Sequence, residues 1–344
     1  MDSYRVSSFY STKGMENRKK DHIELAFQSR TAHPENDPRF YYEPLLAPHP
    51  VYQFPTIPFL GKQLKHPIWI SSMTGGTAHA GTINRNLAQA CREFGLGMGL
   101  GSCRILLDSD EYLPDFAMRP VIGPDQPLVA NLGIAQIENL LLLDQLHKVD
   151  ELVEKLEADG IFIHINPFQE YFQPEGDRLR KAPIETLREV LPQLRSKVLV
   201  KEVGQGMGKE SLRALLELPI AGIELAAFGG TNFAKLEMLR ASEAYRELFE
   251  PFSKIGQTAE EMVDLLNTLF QEKAPAHKPE IILSGGIKSY LDGYYLMEKL
   301  TIPSIYGQAS AFLKHATGDY SDLQAFAKAQ IDGFRLAQNY LRIK

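Results

Sequence analysis

The chain has 344 residues, a formal net charge of −6, 44% apolar and 23% charged residues. That balance suits a globular chain with a large core, and it excludes the basic field that a nucleic-acid or membrane-surface protein needs. Two cysteines, Cys91 and Cys103, are too few for a disulfide framework and follow no metal spacing, so reduced thiols in a cytoplasmic protein are expected. The N-terminal MDSYRVSSFYSTKG lacks the apolar core of a signal peptide. No run approaches the ~20 apolar residues that span a bilayer.

In chain order, short apolar runs predict strands at 67–73, 95–101, 126–133 and 160–166, then at 197–203, 222–228, 280–286 and 303–310. Most are continuous rather than alternating, as strands covered on both faces require. Amphipathic stretches separate them, among them 83–94 and a single long one at 140–158. Eight strands alternating with helices predict an α/β fold, a (β/α)8 TIM barrel, with a doubly wound sheet as the alternative. One domain is expected over 1–344. Residues 1–15 are expected to be a flexible N-terminus, and 238–279 a helical insertion between strands six and seven.

Polar and glycine residues follow the apolar ones in nearly every unit: Ser71 to Gly76, Asn131, Asn166, Lys201, Thr231, Ser284 to Gly286, and Gln308 to Ser310. They collect at the C-terminal strand ends, where barrel active sites lie. A lone Gly-Gly is by default a tight turn. Repetition around the ring shifts the reading to a bound cofactor. SGGIKSYLD (284–292) and YGQAS (306–310) follow strands seven and eight, where barrels commonly hold a phosphate on backbone N–H groups. No Rossmann fingerprint in context and no P-loop is present.

Lys201 ends the otherwise apolar VLVK, where an unpaired ammonium is costly. An ion pair with Glu202 or another barrel carboxylate is the structural reading. The functional one is a cation facing a ring that becomes anionic on reduction, and a flavin fits. The odd stretch is HINPFQEYFQPEGD (164–177), which sets a neutral amide, Gln169, beside a carboxylate, Glu170, at the mouth of a buried strand.

The chain resembles the type 2, FMN-dependent isopentenyl-diphosphate isomerases. The resemblance is carried by NRKKDH (17–22), SSMTGG (71–76), INRNLA (83–88), MGLGSCR (98–104), ANLG (130–133) and HINPFQEYFQPEGD. KEVGQG (201–206), AFGGTNFAKLE (227–237) and SGGI (284–287) complete it, over residues 15–315. It implies that FMN lies against Ser71, Ser72, Met73 and Thr74, with Ser102 and Asn131 completing the polar contacts. It further implies Lys201 at the pyrimidine end of the ring, and Thr231 fixing the cofactor. Gly285, Gly286, Ile287, Lys288, Ala309 and Ser310 would hold the phosphate. The substrate diphosphate would meet Arg18, Lys19, Ser102, Cys103 and Arg104. Gln169 would touch the reacting end, with His164 and Lys201 beside it as further catalytic residues, and Glu170 would bind Mg²⁺. NADPH as reductant and a homo-oligomer, tetramer or octamer, are also implied.

Two departures bear on assembly: Asn232-Phe233 stands where the family has a small residue and Trp, and SKIGQTAEEM (253–262) lacks the family's Trp and Pro. The competing readings are an FMN-dependent 2-hydroxy-acid oxidase, which needs a histidine near the end of strand six, and an inactive flavin-binding barrel. His164 by itself reads as a core histidine, and Arg18-Lys19-Lys20 as the solvated start of a helix through KDHIELAF.

Overall fold

The computed structural model describes residues 12–50, 55–72 and 78–344. They fall into two compact units: the chain up to Tyr41 with Lys344, and Tyr42–Ile343. The first unit carries the helix Thr12–Leu25, whose residues from Asn17 onward are exposed. Residues 1–11 of the expected N-terminal tail lie outside the described residues.

The second unit is a closed barrel of eight parallel strands. They are β1 (Ile68–Ile70), β2 (Gly97–Gly99), β3 (Leu128–Gly133), β4 (Gly160–His164), β5 (Val198–Lys201), β6 (Gly222–Glu224), β7 (Glu280–Ser284) and β8 (Ser304–Gln308). Each pairs with the next in sequence, and β8 returns to β1 through Tyr306↔Ile68. All eight predicted runs are barrel strands, and the closed ring settles the choice against an open sheet. The strands are continuously apolar because helices cover them outside and side chains fill them inside.

The N-terminal end of the barrel is closed by the antiparallel pair Ile57–Phe59 and Lys62–Leu64. Phe59, Leu60 and Leu64 pack in one buried cluster with Trp69, Val129, Phe162, Leu199, Ile282 and Ile305. Beside it Asp159 takes both Lys62 and Arg119, each at 2.8 Å. That end is sealed, so ligand access is from the C-terminal end.

The expected helix over 140–158 is two helices, Ile134–Leu142 and His147–Lys155. Four consecutive leucines cannot all face the core of one helix: Leu142 and Leu143 are exposed, and Asp144 breaks the run at φ +57°. Between β6 and β7 lie helices Phe233–Arg240, Glu243–Phe249 and Ala259–Glu272. A bridge from Phe228 to Thr258 ties this segment to the loop after β6, and the Gln205 side chain, donating to the Phe252 and Ile255 carbonyls, ties it to the loop after β5.

Candidate active site

The C-terminal strand ends open into a cavity of about 460 Å³. It brings together Ser71, Ser72, Lys201, Thr231, Gly285 to Lys288, Ala309 and Ser310, which the sequence scatters over 240 positions. Met73 and Thr74 lie outside the described residues.

At one side two glycine turns face each other. Gly285 sits at φ +90°, and a β-carbon there would stand 2.1 Å from the Ala227 nitrogen. One at Gly230 would stand 3.1 Å from the Gly286 nitrogen. Only glycine lets the β6 and β7 loops approach this closely at the edge of the cavity. The Lys288 backbone N–H donates to Asp292 (2.9 Å), so a bound anion would meet its exposed ammonium. Lys314, one helical turn beyond Ser310, lines the same side. Its i,i+4 spacing from Ser310 was the overlooked signal.

Lys201, at the end of β5, is buried, and its ammonium stands 5.9 Å from the centre of the Phe162 ring. Its expected partner does something else. One oxygen of Glu202 accepts the N–H groups of Gly204, Gln205 and Gly206 at 2.5–2.9 Å. Burial nevertheless raises the Glu202 carboxyl to about 6. Among the described residues no carboxylate stands within ion-pair distance of Lys201, so its charge faces the cavity unpaired.

Two further buried polar groups stand there, of which Gln308 was noted in the sequence at the end of its strand and Glu224 was not. Glu224, ending β6, accepts the Ser71 hydroxyl on one oxygen while the other has no partner among the described residues. Gln308, ending β8, donates to the Ile287 carbonyl (3.4 Å), and its own oxygen is likewise unpaired. The only sequence hint was a polar residue closing an apolar strand.

The adjoining wall comes from β3, β4 and the loop after β4. Asn131 donates to the Leu100 carbonyl (3.1 Å), which turns its oxygen toward His164 Nδ1 at 2.8 Å. The ring proton therefore sits on Nδ1, and Nε2 carries the lone pair. Burial first, then the Lys201 ammonium, lowers His164 from 6.5 to about 3, so the imidazole is neutral. One N–H and the oxygen of the Asn131 amide are thus engaged within the protein.

Asn166 holds the next pair: its amide donates to Gln169 Oε1 and Glu170 Oε1, each at 3.1 Å. The other Glu170 oxygen accepts the Asp177 N–H at 2.9 Å. Gln169 in turn reaches Glu237 at 3.5 Å, a buried carboxylate paired with Arg240 at 2.6 Å. Glu237 also escaped the sequence reading, because it lies 68 positions away on helix Phe233–Arg240. Phe168 and Phe172 pack that helix against the loop through Ala234 and Met238. Arg104 and Ser102 are exposed, Arg104 lying 3.8 Å from Asp177. Cys103, an expected substrate contact, lies between them in the chain. Its side chain is fully buried, its thiol donates to the Gly101 carbonyl, and burial pushes it up to about 12. Arg18 and Lys19 are exposed on the helix of the first unit.

Among the described residues no three His, Cys, Asp or Glu side chains gather as a metal cage, and no helix is long and apolar enough to cross a membrane. No protein-family model matches the chain. It is 35% identical over 323 residues to an isopentenyl-diphosphate delta-isomerase of Rickettsia peacockii (strain Rustic), covering 91% of this chain and 89% of that one. The protein of the same name from Rickettsia felis is 37% identical over 262 residues, covering 76% and 72%. Among solved structures, a flavocytochrome b2 double mutant with sulfite bound aligns with a TM-score of 0.60 and 14% identity, over 87% of this chain and 72% of that one. A mandelate oxidase mutant with a monooxide FMN adduct aligns at 0.52 and 12%, over 89% and 88%. At these identities the structural matches speak to the barrel alone.

Proposed function

The chain belongs to the isopentenyl-diphosphate delta-isomerase family, and we propose that it interconverts isopentenyl and dimethylallyl diphosphate with the help of reduced FMN. One observation carries the reading: a glycine cradle and an unpaired buried lysine share a single cavity, next to a loop that offers an amide and a carboxylate side by side.

The residues fit FMN. The cavity of about 460 Å³ lies within the usual range for cofactor sites. Ser72 Oγ, Glu224 Oε2 and Gln308 Oε1 are buried polar atoms without protein partners among the described residues, and such atoms are costly unless a ligand satisfies them. Gly285, Gly286, Ile287, Ala309 and Ser310, with the Lys288 and Lys314 ammoniums, would take the phosphate. Ser71, Ser72, Lys201 and Thr231 would hold the ring and its side chain, with Met73, Thr74, Ser102 and Asn131 as further family-implied contacts. When bound and reduced, FMN supplies a ring nitrogen able to carry the proton that the double-bond shift requires. NADPH is the proposed reductant.

The chain's own groups do the rest. Moving the double bond adds a proton at one carbon and removes one from another, so positive charge develops on the hydrocarbon. The Gln169 amide, fixed between Asn166 and Glu237, orients that end without a carboxylate that would trap the cation. Neutral His164 forms a wall there and has no second proton to give near pH 7. The substrate diphosphate is clamped by Arg104 and Ser102, with Arg18 and Lys19 as family-implied contacts. Mg²⁺ fits as a metal held largely by diphosphate oxygens and water: Glu170 offers only oxygen, and each of its two oxygens accepts one protein hydrogen bond and keeps a lone pair.

The exposed Leu239, Leu248 and Ile255 of the segment between β6 and β7 support a homo-oligomer, tetramer or octamer. The two free, buried cysteines support a reducing, cytoplasmic setting. A 2-hydroxy-acid oxidase on the same barrel is disfavoured, because the segment after β6, AAFGGTNF, carries no histidine.

The test is anaerobic conversion of isopentenyl diphosphate with FMN, Mg²⁺ and NADPH. Isomerisation that consumes far less than one NADPH per product is expected. Stoichiometric NADPH loss, or oxygen-dependent oxidation of a 2-hydroxy acid, would overturn the reading.

A further inference from the structure

Glu224 is a carboxylate that the fold buries at a cost and leaves half used. It is 1% exposed at the C-terminal end of β6. Its Oε1 accepts the Ser71 hydroxyl across the barrel mouth, its Oε2 is buried with no partner among the described residues, and the residue borders the cavity. Its strand neighbour in register is Lys201, so a cation and an anion stand side by side on β5 and β6. Side chains at paired positions of adjacent strands share one face, yet these two charged groups form no ion pair. Each is therefore held apart toward the same space. A third group repeats the pattern: Gln308, 3% exposed at the end of β8, also borders the cavity and has a buried oxygen without a partner among the described residues.

Two unpaired acceptors on a cavity floor specify what belongs above them. A bound group that offered only acceptors would leave both oxygens unsatisfied, at a cost of about 1–3 kcal/mol each. The occupant must present N–H or O–H donors there.

We propose, building on the FMN reading, that Glu224 is a cofactor-contact residue: its free oxygen accepts a hydrogen bond from a donor of bound FMN, and its negative charge opposes Lys201 in setting how strongly the reduced form is favoured. FMN offers two kinds of donor, the ring N–H and the hydroxyls of its polyol chain. The chemistry at Glu224 is the same for both, and the two sources separate by experiment. Lys201 stabilises added negative charge on the ring by Coulomb attraction in a water-poor site, and Glu224 works against it. Balance between the two, rather than the lysine alone, then decides the affinity ratio of reduced to oxidised cofactor. The hydroxyl of Ser71 is the positioning partner that points Glu224 at the cavity.

The experiment compares wild type, Glu224→Gln and Glu224→Leu by FMN dissociation constant, from quenching of flavin fluorescence, and by flavin midpoint potential; neither readout requires isomerase activity. Glu224→Leu removes the acceptor, and its FMN dissociation constant should rise at least tenfold. Glu224→Gln keeps an acceptor but removes the charge. It should bind oxidised FMN within about threefold of wild type, while the reduced-to-oxidised affinity ratio rises about tenfold, which raises the midpoint potential by ~30 mV for a two-electron couple. Riboflavin and lumiflavin, which keep and lack the polyol respectively, assign the donor. A Leu penalty that persists with lumiflavin places the bond on the ring, and one that vanishes places it on the polyol. Should Glu224→Leu fail to fold, the potential of Glu224→Gln still decides. Wild-type affinity in a folded Leu variant, or a wild-type potential in the Gln variant, would overturn the proposal. Failure of the wild-type protein to bind FMN at all would instead overturn the cofactor reading on which it rests.

Discussion

Replacing His164 by glutamine should make the protein less sensitive to acid. The imidazole is buried beside the Lys201 ammonium, and those two causes, burial first, lower it from 6.5 to about 3. The unfolded chain therefore takes up a proton below pH 6.5 that the native state refuses. Stability from this group is complete above 6.5 and is lost as pH falls toward 3, at about 1.4 kcal/mol per pH unit. At about pH 5 the loss comes to ~2 kcal/mol. Glu202 works in the opposite direction: raised from 4.5 to about 6, it favours the native state below 4.5 and loses that contribution as pH rises through 6. Both proteins carry Glu202 and the other eight histidines, so these contributions cancel in the difference. Glutamine keeps a donor for the Asn131 oxygen, now 2.8 Å from Nδ1. Denaturant unfolding at pH 7.5 and pH 5 measures the gap between variant and wild type at each pH. The gap should move by about 2 kcal/mol in favour of the variant on going to the lower pH. An unchanged gap would mean that His164 takes up a proton as readily in the fold as outside it, and the assignment of a neutral imidazole to the active-site wall would fall.

Gly285→Ala should fold poorly around the cradle and bind FMN at least tenfold more weakly, since the added carbon meets the Ala227 nitrogen at 2.1 Å with φ at +90°; equilibrium dialysis against FMN reads the loss, and wild-type affinity would show that the cradle is not the phosphate site. Glu170→Gln should weaken Mg²⁺ activation about tenfold with the FMN spectrum intact, whereas Gln169→Ala should lower turnover about tenfold with a normal Mg²⁺ titration. Identical Mg²⁺ curves and turnover in both variants would make the loop structural. Neither Cys91 nor Cys103 should react with a disulfide-exchange reagent in the folded protein, because both thiols are buried and pushed up by burial, Cys103 to about 12. Labelling above one thiol per ten chains before unfolding would contradict that.

Period and composition alone determined the architecture here. Continuous apolar runs of strand length, each ending in polar or glycine residues, admit few folds besides a parallel barrel, because only strands covered on both faces lack alternation. The ends of those runs also marked the face where the cavity opens, and Gly285, Lys201 and Ser310, which line it, were legible there because each breaks a local rule that the rest of its segment obeys. What the chain alone left open depends on distances between remote segments. Whether Lys201 pairs with Glu202 or stands alone turned on the loop amides of Gly204 to Gly206, which claim that carboxylate. Glu237 meets Gln169 only because aromatic packing lays helix Phe233–Arg240 against the loop after β4. Cys103 sits within a glycine-rich active-site motif but points into the core, a one-residue difference in direction that no spacing reveals. Glu224 is the sharpest case: as a sequence it is one acidic residue after an apolar pair, and strand register sets it beside Lys201 while the closed barrel sets it across from Ser71. Local rules follow from the backbone and are written into neighbouring residues, whereas charge pairing is decided by which strand ends the closed ring makes adjacent.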